Sequence, residues 1–152
     1  MIASPQQQLS ALYESDETAW LDEMAEIIRS GRTEELDYEH LAEFLTDMAK
    51  RDRREVMSRL KILLAHLLKW VYQPDHRSSS WQTTIVTQQD ELFEDVQGGV
   101  LRNHSLEVLQ SAYTKAVKFA GIETGFDESV FPSECPWTLD EIVSLDFIDR
   151  LS

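Results

Sequence analysis

The chain has 152 residues, of which 42% are hydrophobic and 28% charged, and its formal net charge is -14. This length and composition are typical of one globular domain and exclude a chain that is mostly embedded in a membrane. Cys135 is the sole cysteine, which excludes an internal disulfide and a cysteine zinc cluster. The first residues have neither a basic start nor an apolar run, so we expect no secretory signal and a cytoplasmic protein.

The predicted elements begin after a short lead-in. Residues 1–13 are uncharged and rich in glutamine, and we expect a flexible segment there, followed by a single helical domain over residues 14–152. A first helix is predicted from about Asp16 to Ser30, with Gly31 as the residue that ends it. Its apolar residues recur at spacings of three and four. They are Trp20, Leu21, Met24, Ile27 and Ile28.

A second helix is predicted to start after Asp37, which caps it, and to run to about Trp70. Charged residues over 50–55 interrupt its apolar stripe, so the pattern leaves either one long helix or two helices that meet there. No glycine or proline occurs between Gly31 and Pro74. We therefore favour one long helix.

Two more helices are predicted beyond Pro74. The first runs from about Trp81 to Val96, after a turn that is rich in serine. The second runs from about Leu101 or Asn103 to Thr124, with Gly125 as its stop.

The C-terminal residues contain Pro132 and Pro136 and many apolar side chains, which predicts an irregular segment that seals the bundle. Thr138 and Glu141 form a capping-box pattern that starts a short helix there. The sequence therefore predicts an all-α fold, an antiparallel helical bundle of about four main helices with an irregular C-terminal extension carrying a short helix.

Several kinds of catalytic site lack their residues. No glutamate lies three residues before a histidine, as di-metal helical bundles require, and only Asp37 precedes His40 at that spacing. We interpret Asp37 as a helix cap. Glycine-rich phosphate loops and the Gly-x-Ser-x-Gly motif are missing from the sequence, and Cys135 is predicted to be packed and inert. We therefore predict no catalytic residues, no metal and no cofactor, and we favour a protein that is not an enzyme.

One dense group of aromatic, basic and histidine side chains falls within residues 66–81. This aromatic–basic corner consists of His66, Lys69, Trp70, Tyr72, Gln73, Arg77 and Trp81. In one interpretation the aromatic residues wall a pocket in which the cations bind an anion or a carboxylate, in a small-molecule binder or an enzyme. In the other, which we favour, Lys69 and Arg77 cap the helix end and the aromatic residues lock the turn.

Charge is unevenly placed along the chain. Residues 50–77 carry a net charge of +5 and the remainder carries -19. This asymmetry raises nucleic-acid binding through residues 50–61 as a third alternative, which the net charge of -14 disfavours. The leading hypothesis is a non-catalytic protein–protein interaction module, with a homodimer among its forms and no membrane partner.

Short motifs along the chain resemble the bacterial domain-of-unknown-function family 29, over about Leu12 to Phe147. The resemblance implies a small all-helical domain with no established activity, substrate or catalytic residue. Where this family usually shows a second glutamate and Gly-Lys-Ser, this chain has Phe44 and residues 48–51, which supports the unbroken helix. The motifs are Leu36-Asp37, Arg53-Arg54, His66-Leu67-Leu68-Lys69-Trp70, Tyr72-Gln73-Pro74, Arg77-Ser78, Trp81, Thr84-Ile85, Glu123-Thr124-Gly125, Phe131-Pro132 and Cys135-Pro136.

Overall fold

The computed structural model describes residues 2–151, and its regular structure over that range is helical, without a strand. This confirms the predicted all-α class. Three single turns of 3-10 helix occur at Thr33–Glu35, Pro74–His76 and Glu128–Val130. The α-helices are α1 (Pro5–Ser15), α2 (Glu17–Arg29), α3 (Tyr38–Tyr72), α4 (Ser79–Asp95), α5 (Gly99–Thr124), α6 (Leu139–Ile142) and α7 (Phe147–Arg150).

The long helix predicted after Asp37 is confirmed as α3, which runs for 35 residues without a break. Contacts divide the chain into two compact units, Met1–Lys50 and Arg51–Ser152; the single domain over 14–152 stays a prediction. The division falls within α3, at the charged residues that interrupt its apolar stripe. A continuous helix therefore does not imply a continuous core.

Helix α1 occupies most of the segment that the sequence predicts to be a flexible lead-in. Its start is a capping box: the Ser4 hydroxyl accepts a hydrogen bond from the Gln7 backbone N–H at 3.2 Å, and the Gln7 side chain accepts one from the Ser4 N–H at 2.8 Å. Pro5 stands at the first helical position, where its missing N–H costs nothing. Ser4, Pro5 and Gln7 thus form a local pattern for the start of a helix, which the glutamine-rich composition of residues 1–13 did not indicate.

Trp20 is the centre of the core of the first unit. It is fully buried, and its ring contacts those of Tyr13 and Phe44 with centroids 4.8 and 6.0 Å away. Met24, Ile27 and Leu36 are buried beside it. The predicted stripe of α2 is thereby confirmed except for Ile28, which is 51% exposed because it lies at the edge of that stripe.

Asp37 caps α3, as predicted, and it also joins three helices. Its Oδ1 accepts a hydrogen bond from the His40 backbone N–H at 3.4 Å, while its Oδ2 accepts one from Trp20 Nε1 at 3.2 Å. The same Oδ2 lies 2.8 Å from His40 Nδ1. The imidazole of His40 stacks on Tyr13 of α1 with ring centroids 4.3 Å apart. A buried carboxylate with this many donors is satisfied without a metal.

The core of the second unit is formed by apolar stripes of α3, α4 and α5 and is closed by the C-terminal segment. Short connections reverse the chain after α3 and again after α4, so successive helices run antiparallel, as predicted. Helix α5 begins at Gly99, two to four residues before the predicted start, and its Leu106 is 50% exposed. Fully buried side chains from these helices include Leu60, Leu63, Leu64, Leu67, Leu68, Ile85, Leu92 and Tyr113.

The C-terminal extension carries the predicted short helix α6, with the capping box of Thr138 and Glu141, and a second short helix, α7, that was not predicted. Its attachment to α4 depends on Gln89, a fully buried residue. The Gln89 Nε2 donates to the carbonyl oxygens of Ile142 and Ser144, both at 2.9 Å. The extension is thus fixed by buried hydrogen bonds as well as by apolar packing.

Candidate functional site

The aromatic–basic corner lies where α3 ends and α4 begins. Four of its residues, His66, Lys69, Trp70 and Tyr72, occupy the last turns of α3. Gln73 and Arg77 stand in the connection, and Trp81 lies in the first turn of α4. The Gln73 backbone N–H donates to the Lys69 carbonyl at 2.8 Å and so completes the end of the helix.

The Lys69 side chain is buried among partners from two other helices. Its Nζ lies 2.5 Å from Oε2 of Glu123 on α5 and 4.9 Å from the centre of the Trp81 ring. Burial of an ammonium group is costly unless an opposite charge and hydrogen bonds compensate it. Glu123 provides that opposite charge, so the ion pair of Lys69 links α3 to α5 within the second unit.

Arg77 is engaged in a similar way. Its Nε donates to the Trp70 carbonyl at 2.8 Å, and its guanidinium carbon lies 4.8 Å from the centre of the Trp70 ring. The side chain therefore caps a free carbonyl at the end of α3 and covers an aromatic face. The indole Nε1 of Trp70 is buried and has no hydrogen-bond partner among residues 2–151.

The other members of the corner point to separate neighbours. Tyr72 contacts Phe131 edge-on, with ring centroids 5.0 Å apart. His66 Nδ1 lies 2.9 Å from the Ile62 carbonyl, one turn earlier in α3. Burial lowers the pKa of His66, which favours the neutral imidazole. Each aromatic residue of the corner thus contacts a different partner, and both cations, Lys69 and Arg77, are bound within the unit.

A shallow groove runs between α3 and α5 beside His66, with a volume of about 230 Å³. Its centre is apolar: Phe119 of α5 is 49% exposed and Ile62 of α3 is 39% exposed. Exposed apolar groups that share a concave surface are characteristic of binding sites, because leaving them in water is unfavourable. This α3–α5 groove is lined by Ser58, Lys61, Ile62, Ala65, His66, Phe119 and Glu123.

Two groove residues belong to candidate sites predicted from the sequence: His66 is part of the corner, and Lys61 is part of the basic segment 50–61. The sequence also indicated that Ile62 and Phe119 are exposed, because both lie outside the apolar stripes that identify the buried faces of α3 and α5. A large apolar residue outside its stripe is expected at the surface. The sequence did not indicate that the two residues share one groove, because this depends on how α3 packs on α5.

The basic segment 50–61 does not present all its cations to solvent. Arg59 Nη2 lies 2.7 Å from Glu55 Oε1 and 3.7 Å from Glu91 Oε2, and Arg59 Nη1 donates to Gln88 Oε1 at 3.2 Å. Arg59 therefore serves the packing of α3 against α4. Nucleic-acid binding through this segment stays a prediction.

The cysteine occupies a protected position. Cys135 Sγ donates to the Trp137 carbonyl at 3.3 Å, and burial raises the pKa of the thiol. Over residues 2–151, no three or more His, Cys, Asp or Glu side chains form a group that could hold a metal ion. Within the same range, no helix has both the length and the apolar character needed to cross a bilayer.

Comparison with known proteins adds one finding. No curated protein and no solved structure matches the chain. A family model does match, and it covers residues 12–148, which include both the corner and the groove. The chain therefore belongs to the family described as Domain of unknown function DUF29.

Proposed function

We propose that the chain is a non-catalytic protein-interaction module and that the α3–α5 groove receives a helix of a partner protein. The observation that carries this proposal is the pairing of two half-exposed apolar side chains, Phe119 and Ile62, in one groove between two helices. A groove between parallel or antiparallel helices is the usual seat of an amphipathic helix, which inserts residues spaced by three and four. The groove volume of about 230 Å³ suits one or two large side chains rather than an enclosed substrate.

The alternative of an anion-binding pocket at the corner has less support. A bound anion would compete with Glu123 for Lys69 and with the Trp70 carbonyl for Arg77. Either exchange would break a contact that joins the helices. The apolar side chains of the groove, Ile62 and Phe119, take part in neither of these contacts.

A synthetic helical peptide tests the proposal. The peptide carries leucines along one face and glutamines along the other, and its binding to the full chain is followed by fluorescence anisotropy. Phe119→Ser is expected to weaken binding about tenfold or more, the size of effect that marks a central interface residue. Phe93→Ser is the matched control, because Phe93 of α4 is 50% exposed and lies outside the groove.

Binding that Phe119→Ser weakens and Phe93→Ser leaves unchanged would support the proposal. No binding of the peptide to the wild-type chain, or equal weakening by both substitutions, would overturn it. Circular dichroism of both variants ensures that a loss of binding is not a loss of folding.

A further inference from the structure

The surface around the α3–α5 groove differs in charge from the rest of the molecule. The chain carries a net charge of -14, but the charged side chains within the turn that precedes Phe119 are two lysines, while the exposed Glu123 one turn after it is paired with Lys69. Lys115 lies one turn before Phe119 in α5, Lys118 directly precedes it, and both are exposed. On the opposite wall, Lys61 of α3 lines the groove.

Helix geometry collects these groups on one face of α5. Lys115, Phe119 and Ile122 are spaced by four and three positions, which places them on one stripe of an α-helix, and Lys118, directly before Phe119, lies at the edge of that stripe. Ile122 is 71% exposed. Phe119 is the member of this stripe that lines the groove, and Lys115 and Ile122 lie one turn to either side of it on the exposed face of α5.

The one acid that lines the groove does not offset these lysines. Glu123 Oε2 lies 2.5 Å from the buried Lys69 Nζ, so its negative charge is matched locally. The imidazole of His66, with its pKa lowered by burial, adds no fixed charge at neutral pH. The remaining charge in the groove lining is therefore the positive charge of Lys61.

We infer that the partner helix is acidic, with apolar residues that enter the groove and glutamates or aspartates that face Lys61, Lys115 and Lys118. This inference rests on the proposed function and adds the charge of the partner to it. Complementary charges at the edge of an interface orient the partner and raise the rate of association. They also provide selectivity, because a basic helix would meet like charges at the groove.

Two other anionic partners fit these observations less well. A nucleic acid gains affinity from many phosphate contacts, and three lysines on a molecule of net charge -14 offer few. A membrane surface is broad and flat, whereas Phe119 and Ile62 line a concave groove of about 230 Å³. An acidic amphipathic helix would place apolar residues against Phe119 and Ile62 and acidic residues against the lysines at the edges of the groove.

Three peptides with the same leucine face and with glutamate, glutamine or lysine flanks test the inference by fluorescence anisotropy. The wild-type chain is expected to bind the glutamate peptide about tenfold more tightly than the glutamine peptide, with the lysine peptide weakest. Added salt should reduce the difference. In the double variant Lys115→Glu and Lys118→Glu, the preference is expected to reverse in favour of the lysine peptide.

Equal binding of the glutamate and glutamine peptides, still lost in Phe119→Ser, would overturn the acidic partner while leaving the groove as a docking surface. Binding of none of the three peptides would overturn both. An oligonucleotide or anionic vesicles that bind more tightly than the glutamate peptide, with binding lost in the double lysine variant, would overturn the choice of a helix. Lys50→Glu is the control substitution, at an exposed lysine outside the groove.

Discussion

Lys69 and Glu123 are separated by 54 positions in the chain, yet the Lys69 Nζ lies 2.5 Å from the Glu123 Oε2. The lysine side chain is only 9% exposed, whereas that of Glu123 is 52% exposed. The two partners therefore differ in what their removal should do. Removal of Glu123 leaves the buried Lys69 charge without a partner, whereas removal of Lys69 leaves a carboxylate that water can reach.

Glu123→Gln is expected to lower the free energy of unfolding by about 1–2 kcal/mol, less than for a fully buried pair because water still reaches Glu123. Lys69→Met removes the charge along with its requirement for a partner and keeps a chain of similar length on Trp81. Its cost is expected to be below about 1 kcal/mol. Urea unfolding followed by circular dichroism measures both, and a larger cost for Lys69→Met would show that the ion pair itself stabilises the fold.

The contact between Asp37 and His40 makes stability depend on pH. A hydrogen bond from the imidazole to the Asp37 carboxylate is the main cause of the raised pKa of His40. A pKa raised in the folded state means that protonation favours folding. This contribution is fully present below the pKa of the unfolded chain, about 6.5, and is lost as pH rises through the higher pKa of the folded state.

The difference in unfolding free energy between the wild type and His40→Asn should therefore be larger at about pH 5.5 than at about pH 8.5. Because His66 is present in both chains, its opposite pKa shift cancels in this comparison. Asp37→Asn should reduce the same pH dependence. A difference that is constant across this range would contradict the assigned role of the pair.

The buried amide of Gln89 offers a test of how the C-terminal extension is held. Gln89→Leu leaves the carbonyls of Ile142 and Ser144 without their donor, and it is expected to cost about 2–3 kcal/mol. Gln89→Glu should cost at least as much, because a carboxylate cannot donate to these carbonyls. Gln82→Leu, at an exposed position of α4, is the control and should change the free energy of unfolding by less than about 0.5 kcal/mol.

The end of α5 depends on a glycine in the left-handed conformation. Gly125 has φ of 78°, and its N–H donates to the Gly121 carbonyl at 2.9 Å. Gly125→Ala is expected to cost about 1–2 kcal/mol, since a Cβ is disfavoured there. Gly98 has φ of -179° and open space around it, so thermal unfolding should show a smaller effect for Gly98→Ala.

Helix ends were predictable because the residues that form them are close in sequence. Asp16, Asp37 and Gly125 act within one turn of the backbone groups that they cap or follow. Helix α1 was not predicted, since the glutamine-rich, uncharged composition of residues 1–13 is typical of a flexible segment, although Ser4 and Gln7 form a capping box there. The division of contacts into two units depends on which faces of α3 are covered by other helices, and periodicity along α3 contains no such information.

The candidate site was only partly predictable for the same reason. The sequence identified the corner, but the partner of Lys69 is Glu123 on a different helix, and spacing along the chain could not reveal that contact. The groove arises from two residues, Ile62 and Phe119, whose positions outside their stripes indicated exposure and nothing about proximity. A site assembled from separate helices becomes visible only when their packing is known.

The core of the second unit includes side chains from the end of the chain, which are translated last. They are Leu139, Ile142, Phe147 and Ile148. The helices that these residues cover are translated earlier, so their apolar stripes leave the ribosome before their cover exists. The buried core of the first unit, by contrast, is built entirely from residues that precede Lys50. The core of the first unit is therefore complete before the second unit is translated, whereas the core of the second unit is complete only when residue 148 has emerged.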